Sequence, residues 1–126
     1  MAELKIYRCK VCGNIFLVVN DGGGKPICCG EDMVLLKANT TDAATEKHVP
    51  VVEVNGDDVT VKVGEVDHPM LPEHYIQFVC LLLEDGVLVE HLKPGAKPEA
   101  KFNVAGKKIV AAYEYCNLHG LWKKDL

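Results

Sequence analysis

Four cysteines within the first 37 residues constrain this chain more than any other feature. Cys9 and Cys12 form a C-x-x-C pair, and Cys28 and Cys29 sit side by side. A segment this short cannot bury enough apolar surface to hold itself together, and below about 40 residues a metal or disulfides are usually needed. Asp21-Gly22-Gly23-Gly24 supplies a turn between the two pairs, and short strands are expected at residues 4–7, 15–19 and 34–37. Four thiolates suit a tetrahedral zinc or a single iron. Neighbouring cysteines diverge, so gripping one ion with Cys28 and Cys29 must distort either the S–metal–S angle or the local backbone. Spacing alone leaves zinc, iron and disulfides open, and a reducing compartment favours the metal.

The rest of the chain has a different texture. Residues 38–46 are small and polar and are expected to form a linker between residues 1–37 and a second domain, 47–126. Val59, Val61 and Val63 alternate with Thr60 and Lys62, the period-2 signature of a half-buried strand. Further strands are expected at residues 51–54, 75–84, 87–92, 100–104 and 108–115. Asn55-Gly56, Asp85-Gly86, Pro94-Gly95 and Ala105-Gly106 punctuate them. This spacing predicts an all-β fold, an antiparallel β-sandwich behind a small metal-binding domain, with no long amphipathic helix. The longest apolar run, Phe78 to Leu83, is six residues and far too short to span a bilayer. The opening Met-Ala-Glu-Leu-Lys-Ile-Tyr lacks the basic-then-apolar pattern of a signal peptide, which points to the cytoplasm. A net charge of −4 argues against a general nucleic-acid binder.

A second group of metal-ligating side chains lies where turns meet strands: His48, His68, His74, Cys116 and His119. Pro69 and Pro72 stiffen the loop between His68 and His74, and Cys-x-x-His puts Cys116 and His119 on one loop. Any one histidine is most simply a hydrogen-bonded surface or core residue. Five donors together exceed the four of a structural zinc and the three of a catalytic zinc. A blue-copper site with Met70 as axial ligand leaves two histidines over. Five donors leave one place on a six-coordinate metal, which iron accepts readily.

Cys9-x-x-Cys12 with Cys28-Cys29 resembles a desulforedoxin-like domain. Glu46-Lys47-His48-Val49-Pro50, His68-Pro69-Met70 with His74-Tyr75-Ile76, and Glu114-Tyr115-Cys116-Asn117-Leu118-His119-Gly120 resemble the iron domain of superoxide reductases. In this order, over essentially the whole chain, they resemble the desulfoferrodoxins, the two-iron class of that family. The resemblance implies an immunoglobulin-like sandwich, a homodimer, and two mononuclear iron ions. Cys9, Cys12, Cys28 and Cys29 would hold the first. His48, His68, His74 and His119 would surround the second, with Cys116 as axial thiolate and the sixth position open. Lys47 would guide the anionic substrate, and Glu46 would occupy the open position in the oxidised state. An external donor, with rubredoxin the one the family suggests, would re-reduce the iron after superoxide becomes hydrogen peroxide. Cys80 and His91 lie outside the motif, as a buried small hydrophobe and a surface residue. Tyr115 and Trp122 are expected to pack rather than relay electrons. A pure electron carrier, a zinc-stabilised interaction module and a dismutase are the competing readings.

Overall fold

The structure, a computed structural model, describes residues 3–126. It divides into two compact units, Met1–Lys37 and Ala38–Leu126.

The first unit holds β1 (Ile6–Arg8), β2 (Ile15–Leu17), β3 (Ile27–Cys28), β4 (Glu31–Asp32) and β5 (Val34–Leu35). β1 lies between β2 and β5 in an antiparallel sheet, and β3 and β4 form a separate two-residue hairpin. Among its described residues the buried ones are Ile6, Cys9 and Met33, while Val19 and Ile27 stand in solvent. The two aliphatic ones, Ile6 and Met33, contribute roughly 1.5–3 kcal/mol each, far short of the ordering entropy of such a segment. A metal held by the four cysteines would supply the missing stability.

The second unit begins with α1 (Thr45–His48), a single turn, and continues through seven strands: β6 (Pro50–Asn55), β7 (Asp58–Val63), β8 (Ile76–Leu83), β9 (Gly86–His91), β10 (Glu99–Asn103), β11 (Ile109–Cys116) and β12 (Gly120–Asp125). They form two antiparallel sheets, ordered β10-β7-β6 and β12-β11-β8-β9. Val59, Val61 and Val63 from the first sheet share one apolar cluster with Val79, Leu81 and Ala112 from the second, so the sheets pack face to face. Hairpins β6–β7, β8–β9 and β11–β12 stay within one sheet, and the longer connections cross between them.

The expected all-β sandwich is present, with differences at the margins. β12 was not anticipated, because Gly120 and the charged Lys123-Lys124-Asp125 hide a strand whose Leu121 and Trp122 are buried. Asn39, in the polar segment ahead of α1, extends along that strand's edge. Its N–H donates to Leu121 O at 3.0 Å, its Oδ1 accepts from Lys123 N at 2.8 Å, and its Nδ2 donates to Lys123 O at 3.2 Å.

One glycine fixes where α1 sits. A Cβ on Gly64 would lie 2.7 Å from Glu46 O and 3.0 Å from Val49 O, while Val66 N donates to Glu46 O at 3.0 Å. The turn after β7 is thus in backbone contact with the helix that ends at His48. Gly64→Ala is expected to push α1 outward and cost about 1–3 kcal/mol, an overpacking penalty. Denaturant unfolding and the metal content of the histidine cluster check this; both should fall, and neither changing would contradict the contact.

Candidate metal centres

The sandwich delivers five donors to one end. His48 closes α1 just before β6, His68 follows β7, and His74 precedes β8; Cys116 ends β11 and His119 precedes β12. In the antiparallel ladders Pro50 pairs with Val63, while Cys116 pairs with both Ile76 and Gly120, so these strand ends coincide. The β11–β8 register shifts between Tyr115 and Cys116, a bulge of the kind that re-aims a side chain. The ligand atoms of His48, His68, His74, Cys116 and His119 all lie within 4.8 Å of one another. His48, His68 and Cys116 are buried, while His74 and His119 are half-buried, so the cluster sits at the surface of the unit.

The protons on these rings can be assigned from their partners. His48 Nδ1 is 2.7 Å from Ala44 O, and His68 Nδ1 is 2.7 Å from Pro69 O. A carbonyl only accepts, so both Nδ1 atoms carry hydrogen and both Nε2 atoms carry a lone pair. Those two lone pairs face each other at 3.1 Å, and His119 Nδ1 approaches His48 Nε2 at 3.1 Å as well. Protonation does not relieve the conflict. Burial lowers the pKa of His48 and His74 and brings that of His68 down to about 4. His74 Nε2 is buried without any hydrogen-bond partner. A cation between the rings satisfies all of these groups at once. Two nitrogens at about 2.1 Å from one ion, at right angles, are about 3.0 Å apart, which matches the spacing here. Burial raises the Cys116 thiol, and backbone N–H groups of Leu118 and His119 counter it by bonding the sulfur.

The supporting contacts are equally specific. His68 N donates to Val63 O at 2.9 Å, and Leu71 and His74 exchange backbone bonds of 2.9 and 3.1 Å. Asn117 ties the two halves of the site. Its Oδ1 accepts from Tyr75 N at 2.9 Å and its Nδ2 donates to Glu73 O at 3.0 Å, clasping the His74 loop to the Cys116–His119 turn. Trp122 stacks on His48, with centroids 4.9 Å apart and planes 27° apart. Neither residue was singled out as part of the site from sequence; the only available signal was their place beside the Cys-x-x-His ligands. Glu46 and Lys47 are exposed on α1, next to His48. Tyr115 packs against Phe78 with near-parallel rings 5.6 Å apart. Cys80 is buried, which pushes its thiol up to about 12, and His91 is exposed; both lie outside the clusters.

The second cluster is Cys9, Cys12, Cys28 and Cys29. Cys12 and Cys28 sulfurs are 3.7 Å apart, and those of Cys28 and Cys29 are 3.9 Å apart. Sulfurs at about 2.3 Å from one ion at the tetrahedral angle are about 3.8 Å apart. The distortion that adjacency demands has gone into the backbone: Cys29 has φ 53°, in the left-handed region. That conformation costs a non-glycine residue roughly 1–2 kcal/mol, which a bound metal can outweigh. The Cys12 N–H points at Cys9 Sγ from 3.4 Å and lowers the Cys9 thiol to about 6. Contact with the Cys12 sulfur, first among several causes, pushes Cys29 up to about 12. One thiol ionises easily and its neighbours resist, a conflict that a cation removes.

Comparisons with known proteins agree with this geometry. The family described as "Desulfoferrodoxin" matches residues 40–125, and "Desulfoferrodoxin, N-terminal domain" matches residues 2–36. The desulfoferrodoxin of Desulfarculus baarsii is 52% identical over 123 residues, covering 98% of this chain and 97% of the relative. The superoxide reductase of Thermococcus kodakarensis is 39% identical over 99 residues, covering 64% of this chain and 86% of its own. The crystal structure of the superoxide reductase from Treponema pallidum superposes with a TM-score of 0.83 at 40% identity, covering 98% of each chain.

Asn117→Ala removes both clasping bonds and frees the His74 loop. Metal affinity of the histidine cluster should drop about 10–100-fold, the usual range for a lost orienting contact. Chelator competition measures it, with the four-cysteine site as internal control. Equal affinity in the variant would show that the clasp does not orient His74.

Proposed function

The chain belongs to the desulfoferrodoxin family, and from that premise we propose that it is a superoxide reductase carrying two mononuclear iron sites. The observation that carries the reading is the convergence of four imidazoles and one thiolate, with donor atoms within 4.8 Å of one another. His48, His68, His74, His119 and Cys116 hold one iron; Cys9, Cys12, Cys28 and Cys29 hold the other. Bound by the five donors, iron would supply the single electron that, with two protons, turns superoxide into hydrogen peroxide.

The chain's own residues set the conditions for that step. Four neutral imidazoles and one thiolate around a ferrous ion leave a net +1, whereas four thiolates leave −2. With iron bound, the five-donor site would therefore attract an anion and hold the ferrous state more readily, whereas the four-thiolate site would repel anions. Cys116 places a negative sulfur beside the metal, and such a ligand pushes electron density onto it. The chain is acidic overall, so steering has to be local. Lys47 sits next to His48, and its charge is felt at both His48 and His74, each of which it helps to lower. Its ammonium draws the anion in and offsets charge that develops there, while water beside it provides protons. Glu46, on the same turn, is the residue that by resemblance to the family would close the open side of the site once the iron is oxidised. An external one-electron donor completes the cycle, and rubredoxin is our assignment for it. A homodimer and a cytoplasmic location belong to the same proposal. The free cysteines arranged as metal ligands support that location. Among the described residues no helix is long and apolar enough to cross a membrane.

Titrating the anaerobically reduced protein with superoxide tests the function. One hydrogen peroxide per superoxide, with no oxygen released, is the expected result. Oxygen evolution would make it a dismutase, and no reaction would make the cluster structural. Lys47→Ala should slow the second-order reaction about tenfold and flatten its ionic-strength dependence, as loss of a steering charge does. Lys47→Arg should retain most of the rate. An alanine variant with the parental rate constant and salt slope would remove Lys47 from the mechanism.

A further inference from the structure

Trp122 is the chain's single tryptophan, 3% exposed, on the inner side of β12. A buried indole ordinarily packs among aliphatic side chains and gives its N–H to whichever acceptor is near. Here both functions go to ligands of one centre. The ring lies over the His48 imidazole at 4.9 Å with planes 27° apart. The indole N–H donates to the backbone carbonyl of His119 at 3.0 Å. His48 and His119 lie far apart in the sequence, one closing α1 and the other closing the turn into β12, and their rings meet edge to face at 4.9 Å.

We infer that Trp122 is a positioning residue of the five-donor centre: its face sets the His48 ring plane and its N–H sets the His119 backbone, so that the two nitrogens stay 3.1 Å apart. The physical basis is a shortage of other restraints. The carbonyl bond at Nδ1 fixes which nitrogen of His48 faces inward, but a single hydrogen bond leaves the ring free to rock about it. A stacked indole stops that motion. His119 turns Nδ1, the nitrogen nearer the backbone, toward the cluster, so its aim depends directly on where its main chain lies. The turn that carries it is anchored by Asn117 on one side and by the Trp122 N–H on the other. Holding two adjacent ligands at a fixed separation raises affinity by removing the ordering cost of binding.

The inference rests on the metal reading above, and the experiment separates the two. Ferrous iron is bound to full-length wild type, Trp122→Phe and Trp122→Leu. Affinity is measured by chelator competition, and the symmetry of the ferric site by electron paramagnetic resonance. Trp122→Leu loses stacking and hydrogen bond together, and should lower the affinity of the five-donor site about 10–100-fold and broaden or shift its resonance. Trp122→Phe keeps a ring over His48 and should fall between leucine and wild type. The four-cysteine site should be unchanged in all three proteins. Should the leucine variant fail to fold, the phenylalanine variant decides alone: an intermediate loss supports the role and wild-type affinity with a wild-type resonance overturns it. Variants that melt at lower temperature but keep affinity and resonance would make Trp122 a core residue only. A wild-type protein that takes no iron at the histidine cluster would overturn the metal reading, and this inference with it.

Discussion

Two imidazole lone pairs, on the buried His48 and His68, point at each other across 3.1 Å. That is the constraint on which the rest of the second unit turns. Neither ring can flip its other nitrogen inward, because each spends that nitrogen on a backbone carbonyl. Neither can easily take a proton, because burial opposes the charge. The repulsion has one simple remedy, a cation, and the other three donors stand around the same point. The four-cysteine unit repeats this logic with sulfur: crowded thiols resist ionising together, and Cys29 is held in a strained backbone. In both units side chains that repel one another without a metal become ligands with one.

The sandwich makes this possible by being dull elsewhere. Its core is valine, leucine and alanine from both sheets, and it asks nothing of the strand ends beyond coincidence. Ladder register brings the ends of β7 and β11 and the starts of β6, β8 and β12 together, so ligands far apart in sequence become neighbours. Loops then refine the aim. Gly64 lets α1 approach, Asn117 clasps the His74 loop, and the bulge after Tyr115 turns Cys116. Rigid strands carry the coarse geometry and a few polar contacts carry the fine geometry, which suits a site where a shift of an ångström changes the metal.

How much of this is legible in the sequence depends on range. The cysteine pairs and the histidine motifs are local strings, and their chemistry narrows the ligand set before any coordinates exist. Alternating valines announce β7, and glycine turns announce the hairpins. β12 is less visible because its buried Leu121 and Trp122 are followed by three charged residues, and the two-residue strands β3 and β4 carry no period at all. Gly64 reads as an ordinary turn glycine until the α1 backbone is seen against it. Trp122 reads as core until His48, 74 positions earlier in the chain, is found under its ring. The missed residues act through contacts that close only in three dimensions. Glu114 is a buried carboxyl with neither oxygen hydrogen-bonded, its pKa raised by burial.

The five-donor centre requires that His48, His68, His74, His119 and Cys116 share one ion. Diffraction from iron-loaded crystals of the full chain, with anomalous maps at the iron edge, tests it most directly. One peak is expected within bonding distance of His48, His68, His74, His119 and Cys116, and another among the four cysteine sulfurs. A peak from which any of those five has turned away, or a histidine cluster without a peak in protein that carries iron, would contradict it.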